Sequence, residues 1–305
     1  MQHVADGVQE LVERVNGLSV WTRDGQRAPH KPLLLLLALA KAAAGEDRLL
    51  AFTEIEAPLR KLLEAFGPSR RAHHPEYPFW YLRTDGLWEV EEPTPLRRRK
   101  KGGDASGNPP ATELRRQNTK GGLPSDLYEA VRADPDFASR LANSILIRHF
   151  PVSFHEEILA QAGLKAWEKR EMPLGDAEFE ATVLAAYRHS CALCGFRAQL
   201  GAKSFGVEAT PIRWLQAGGK LKVDNYLAFC LIHRRAFERG ACAIDAKNRL
   251  ILSAALVCYD SSRPWFSRFQ GRSLHRPVKQ TLVPRVENLA WHREEVFRWP
   301  ASTLK

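Results

Sequence analysis

The sequence predicts an α+β protein of two domains, and three observations carry that prediction. At 305 residues the chain is long enough for two separate cores. Helical apolar periodicity fills most of the first half and is broken by a single strand-like stretch around an Asp-Gly turn. The second half holds two pairs of soft ligands, Cys191 with Cys194 and Cys230 with His233, at spacings that mark a small metal-stapled domain. The polar segment around 165–176, with Pro173 and Gly175, divides the two. We therefore expect domains at 1–165 and 176–305, joined by a linker at 166–175.

In the first domain, Val4, Val8, Leu11, Val12 and Val15 recur at helical spacing. The basic segment W-T-R-D-G-Q-R-A-P follows. Then His30-Lys31-Pro32 leads into a run apolar on all sides that stops at Gly45, as suits a buried central helix. Thr53 and Glu56 form a capping-box pattern for a third helix that ends at Gly67. F-W-Y-L-R-T, Asp85-Gly86 and L-W-E-V-E predict a β-hairpin with a type I′ turn. Residues 94–111 are nearly devoid of apolar side chains and carry five consecutive cations, Arg97 to Lys101, which predicts an exposed loop. Three more helices are expected over S-D-L-Y-E-A-V-R, D-F-A-S-R-L-A-N-S-I-L-I-R-H-F and F-H-E-E-I-L-A-Q-A-G.

The formal charge is +10, which favours a polyanionic partner, and nucleic acid over a membrane surface. No run reaches the 18 apolar residues a membrane helix needs, since the longest, Leu33–Ala40, ends at Lys41. The N-terminus lacks the basic start and apolar middle of a signal peptide, so the chain is expected to be cytoplasmic. Five cysteines in a reducing compartment do not read as a disulfide framework. Three belong to the metal spacings, and Cys242 and Cys258 read as plain buried thiols.

Cys191-x2-Cys194 and Cys230-x2-His233 supply three thiols and an imidazole, the donor set of a tetrahedral zinc site. Four protein ligands leave no open position for water, so the zinc is expected to be structural.

Between and beyond these ligands, G-V-E-A-T-P-I-R-W and D-N-Y-L-A-F-C-L-I-H-R-R-A-F-E-R-G resemble the HNH endonucleases, the ββα-metal type on a treble-clef-like scaffold. L-A-W-H-R-E-E-V-F-R resembles the ending of the restriction-enzyme branch. In the first half, R-A-P-H-K-P-L-L-L-L, E-Y-P-F-W-Y-L-R-T-D-G-L-W-E-V and N-T-K-G-G-L resemble the sulfur-binding domain of phosphorothioate-dependent Type IV restriction enzymes. The resemblance implies a partner, double-stranded DNA carrying phosphorothioate linkages. A homodimer or a partner nuclease stays open.

The nuclease resemblance places Pro211 where the family has its general base, Asn225 at the orienting Asn, and Arg234 where a His holds the catalytic metal. Proline has no proton acceptor and a guanidinium stays charged, so the resemblance implies a domain that holds DNA without cutting it. The alternative is an active Mg²⁺- or Mn²⁺-dependent Type IV endonuclease with an unusual metal site, in which His233 serves as a catalytic ligand. The sulfur-domain resemblance directs attention to Arg23, Arg27, His30 and Lys31 at the start of the central helix, and to Arg115 and Arg116. Tyr77 and Pro78 are the expected walls of an apolar hollow for sulfur. Tyr81, on the opposite strand face from Trp80, is expected to shape it.

Overall fold

The computed structural model describes residues 2–20, 28–70, 72–92, 94–100, 107–164 and 177–302. Among these residues the chain divides into two compact units, one up to residue 164 and one from residue 177.

The first unit is built around a helix that nothing polar interrupts. α1 (Gln2–Asn16) precedes α2 (His30–Ala44), where every residue from Pro32 to Ala40 is buried. Gly45 ends α2 in the left-handed region, at φ +89°. β1 (Leu49–Ala51) follows, then α3 (Phe52–Phe66). This helix starts one residue before the expected cap, and its free amide is met instead by Glu54, which accepts from Ala51 N at 2.7 Å. Glu56 is thereby released to bind arginines.

The expected hairpin is absent. Residues 76–85 form α4 (Glu76–Tyr81) and a 3-10 turn (Leu82–Asp85), with Gly86 at φ +66° closing the turn rather than a type I′ loop. Two physical facts override the strand-like composition. Pro75 and Pro78 occupy the N-cap and first turn, where a missing N–H costs nothing. In addition Phe79, Trp80 and Leu82 are all buried, and adjacent buried residues cannot share one face of a strand.

β2 (Glu89–Val90) then pairs with a later strand. α5 (Ala111–Arg116) leads to β3 (Lys120–Gly122), which lies between β1 and β2 in an antiparallel sheet. The Gly-Gly of β3 is required by close packing. A Cβ on Gly121 would meet Trp88 Nε1 at 2.7 Å, and one on Gly122 would meet Arg48 O at 1.7 Å. α6 (Ser125–Ala133), α7 (Pro135–His149) and α8 (Val152–Ala162) fall where the periodicity places them, and all three pack on α2. The described part of the cationic segment is not the free loop expected. Leu96 and Asn108 are buried, and Arg99 N donates to Asn108 O at 3.1 Å. Lys101 lies outside the described residues.

In the second unit α9 (Ala177–Ala186) delivers the chain to Cys191. A small hairpin, β4 (Ala198–Leu200) and β5 (Lys203–Phe205), precedes the central one, β6 (Val207–Pro211) and β7 (Tyr226–Cys230). β7 runs directly into α10 (Leu231–Glu238), so a long-looped hairpin and a helix pack as one element. Val207 pairs with Cys230 and Pro211 with Tyr226. β8 (Cys242–Ile244) and β9 (Leu250–Leu252), α11 (Pro264–Ser267) and α12 (Val286–Glu295) complete the unit around Ile212, Leu227, Phe229 and Phe237. Cys242 is buried, and burial pushes its thiol up to about 12. Cys258 is only half-buried, contrary to expectation, because it follows the exposed turn at Ala254-Ala255. Among the described residues no helix is long and apolar enough to cross a membrane.

Candidate functional site

The first unit gathers aromatic, imidazole and guanidinium groups at the start of α4. Because α4 is a helix, Tyr77 and Tyr81 stand one turn apart on its partly exposed face, while Phe79 and Trp80 enter the core. Tyr81 therefore sits beside Tyr77 rather than across a strand from Trp80. Tyr77 stacks on His74, with ring centroids 4.7 Å apart and planes 15° from parallel. Its hydroxyl accepts from an Arg99 guanidinium nitrogen at 3.0 Å, and the same guanidinium reaches the buried Glu76 at 3.1 Å. Glu76 also lies 3.1 Å from His74 Nδ1. Pro78 is buried next to Tyr77 in the helix, so its ring is part of the packed side of the site.

His30 begins α2 and is partly buried. Its pKa is lowered to about 4, first by burial and then by the nearby charges of His73, His74 and Arg70. It is thus a neutral ring near pH 7.

The other expected contacts are occupied by internal partners. Lys31 Nζ lies 2.6 Å from the shielded Asp85 carboxylate, which ties the start of α2 to the end of the 3-10 turn. Arg115 makes a two-pronged bond to Glu56, with both distances 2.7 Å, and this pair holds the Glu56 carboxyl below its usual range. Arg116 binds Glu113 but keeps most of its surface exposed. Arg23 and Arg27 lie outside the described residues. Sequence reasoning missed His74, Glu76 and Arg99. The first two adjoin Tyr77 in H-H-P-E-Y-P, whereas Arg99 was hidden among equivalent cations.

The second unit brings the four soft ligands together. One donor atom from each of Cys191, Cys194, Cys230 and His233 lies within 4.8 Å of all the others. The closest approaches are 3.1 Å from Cys230 Sγ to His233 Nδ1, 3.6 Å from Cys191 Sγ to His233 Nδ1, and 3.9 Å between Cys194 Sγ and Cys230 Sγ. Zinc bonds of about 2.3 Å to sulfur and 2.0–2.1 Å to nitrogen give tetrahedral edges of this size, so the donors fit the ion. The imidazole is also oriented for it. Nε2 donates to Trp265 O at 2.8 Å, leaving Nδ1 as the acceptor, and Phe266 and Phe269 hold the ring edge-on at 5.7 Å.

Asn225 is fully buried and acts as a latch. Its Oδ1 accepts from Arg213 N at 3.0 Å, and its Nδ2 donates to Arg213 O at 2.9 Å and Lys220 O at 3.1 Å. Pro211 ends β6. Arg234 does not face solvent as a free cation, because its guanidinium is bound by Glu208 of β6 and by Glu238 one turn along α10.

The first unit is thus a mainly helical domain with a small antiparallel sheet, and it carries an aromatic face with a guanidinium beside it. The ScoMcrA-like DNA sulfur-binding domain family model matches residues 8–167, and the chain belongs to that family. Among solved structures, the sulfur-binding domain of ScoMcrA complexed with phosphorothioated DNA is 28% identical, with a TM-score of 0.43, over 50% of this chain and 94% of that one. The corresponding SprMcrA domain complex is 23% identical, with a TM-score of 0.41, over 52% and 94%. The Type IV phosphorothioation-dependent restriction endonuclease ScoMcrA is 25% identical, with a TM-score of 0.43, over 53% of this chain and 30% of its own. No curated protein matches the chain.

Proposed function

We propose that the first unit reads phosphorothioate linkages in double-stranded DNA, and that the second is a zinc-stapled HNH-type domain that holds DNA without cleaving it. The observation that carries the reading is the Tyr77–Arg99 pair within a domain of the sulfur-binding family. A phosphorothioate sulfur is larger, softer and more weakly hydrated than the oxygen it replaces, while the linkage keeps its negative charge. An aromatic face suits the sulfur, and the Arg99 guanidinium beside it, held in place by Glu76 but still 40% exposed, meets the charge.

In the second unit Cys191, Cys194, Cys230 and His233 would hold zinc, which supplies folding energy and no chemistry when all four ligands are protein. The hairpin and α10 provide a ββα frame, but its residues cannot perform hydrolysis. Pro211 offers no acceptor for a water proton. Arg234, bound by Glu208 and Glu238, puts a fixed positive charge where a divalent ion would be needed. Loss of a general base alone costs about 10²–10⁴ in rate.

The test incubates the protein with phosphorothioated and plain duplexes in Mg²⁺ and in Mn²⁺. Tighter binding of the modified duplex with both strands intact is expected. Metal-dependent cleavage would overturn the inactive assignment, and equal affinity for both duplexes would overturn the sulfur reading.

A further inference from the structure

The positive charge of this chain is not where the sulfur-reading site is. Residues 1–164 carry 22 Lys and Arg against 22 Asp and Glu, whereas residues 177–302 carry 19 against 10, a net +9 of the total +10. Attraction to a polyanion is therefore concentrated in the unit without the sulfur pocket.

Within that unit the loop between β6 and β7 shapes a cavity of about 290 Å³. Its charged lining is Arg213, Lys220, Lys222 and Arg285, with Asp224 and Glu287 as counter-charges. Asp224 is already held by Arg285, Nε to Oδ2, at 2.7 Å. Lys220 and Lys222 are exposed, and neither has a carboxylate partner among the described residues.

The loop is built rather than loose. Asn225 bonds it at both Arg213 and Lys220. The Arg213 guanidinium is tied to Ala217 O at 2.9 Å, and the chain turns so tightly that a Cβ on Gly219 would meet Arg213 O at 2.0 Å. Cations carried on a fixed loop around a concave space match a phosphate better than a flexible basic tail does, because less backbone entropy is lost on binding.

We propose that this cavity holds a backbone phosphate of duplex DNA, so that the second unit acts as a sequence-independent clamp, with Asn225 the positioning residue that sets its loop. The proposal rests on reading the chain as a DNA-binding protein. It gives the degenerate domain a use that Arg234, bound by two carboxylates, does not supply.

The test compares Lys220→Ala/Lys222→Ala with Lys203→Ala/Lys247→Ala, a pair of exposed lysines of the same unit outside the cavity. Circular dichroism first confirms that each full-length variant is folded. Affinity is then measured for phosphorothioated and plain duplexes over a range of salt. The cavity pair should weaken binding to both duplexes by the same factor and flatten the plot of log affinity against log salt by about 0.9, the change for one lost phosphate contact. The control pair should flatten it by clearly less. An unchanged slope in the cavity pair, or an equal change in the control pair, would overturn the proposal. Failure of the sulfur reading is a separate result, a modified-to-plain affinity ratio of one in the unaltered protein.

Discussion

The guanidinium of Arg99 donates to the Tyr77 hydroxyl across 3.0 Å, joining a residue of the cationic segment to α4 over 22 positions of sequence. This bond separates the ring's contribution from that of the hydroxyl. Tyr77→Phe keeps the aromatic face and leaves Arg99 its bond to Glu76, so preference for the modified duplex should stay within a few-fold of the original. Tyr77→Ala removes the face and should lower that preference about tenfold, equivalent to about 1.4 kcal/mol. Fluorescence anisotropy on paired modified and plain duplexes distinguishes the two. Full preference in Tyr77→Ala would place the sulfur elsewhere.

A zinc staple at Cys191, Cys194, Cys230 and His233, as proposed, implies a metal content and a selective loss of structure. The protein should carry one zinc per chain by elemental analysis. Removing the ion by chelation, or replacing Cys191 by Ser, should abolish the thermal transition of the second unit, since structural zinc contributes about 10–16 kcal/mol of apparent binding energy near neutral pH. His233→Gln removes one donor and should act in the same direction. Unchanged melting after complete zinc removal would show that the unit's apolar core suffices.

The sequence made some of this legible for identifiable reasons. Helix α2 could be read because eleven consecutive buried or partly buried side chains, Leu33 to Ala43, follow a proline and the helix ends at a left-handed glycine, a pattern with few alternatives. The clustering of Cys191, Cys194, Cys230 and His233 could be read because their spacing is itself the geometric requirement of a shared metal. α4 could not, because aromatic composition spoke for a strand while two prolines fixed a helix, and composition gives no weight to position within a turn. Lys31 and Arg115 drew attention as free cations, yet Asp85 and Glu56, more than 50 residues away, neutralise them. Such long-range pairing leaves no local trace.

Acid should destabilise the first unit over a definite window. His30 and His149 both have pKa values lowered to about 4 from 6.5, in each case mainly by burial, with neighbouring charges adding to it. The unfolded chain therefore binds more protons than the folded one between these values. The stability associated with each neutral ring is complete above about pH 6.5 and is lost as pH falls through the folded value near 4. The loss is at most about 3 kcal/mol per residue, at 1.36 kcal/mol per pKa unit. Urea unfolding at pH 4 to 7 should show stability rising with pH, and His149→Gln should reduce that slope. A slope identical in the variant would remove His149 from the account.

Arg234 should matter for stability before it matters for chemistry. Its guanidinium is bound by Glu208 on β6 and the nearly buried Glu238 on α10, so Arg234→Ala leaves Glu208 without this cation and Glu238 with only Arg235, 4.0 Å away. Removing one partner of a buried charge cluster costs about 3–5 kcal/mol, and the partial exposure of Glu208 places this case toward or below the lower bound. Arg234→Met, which fills space without charge, should be destabilised in the same way. Adding Glu208→Gln to Arg234→Met should recover part of the loss by removing a stranded carboxylate, and denaturant midpoints measure each step. Because the same carboxylates could then attract a divalent ion, Arg234→His combined with Pro211→His should raise the thermal midpoint in Mn²⁺ relative to metal-free buffer. A Mn²⁺ response equal to that of the unaltered protein would mean that the guanidinium is not standing in for a cation.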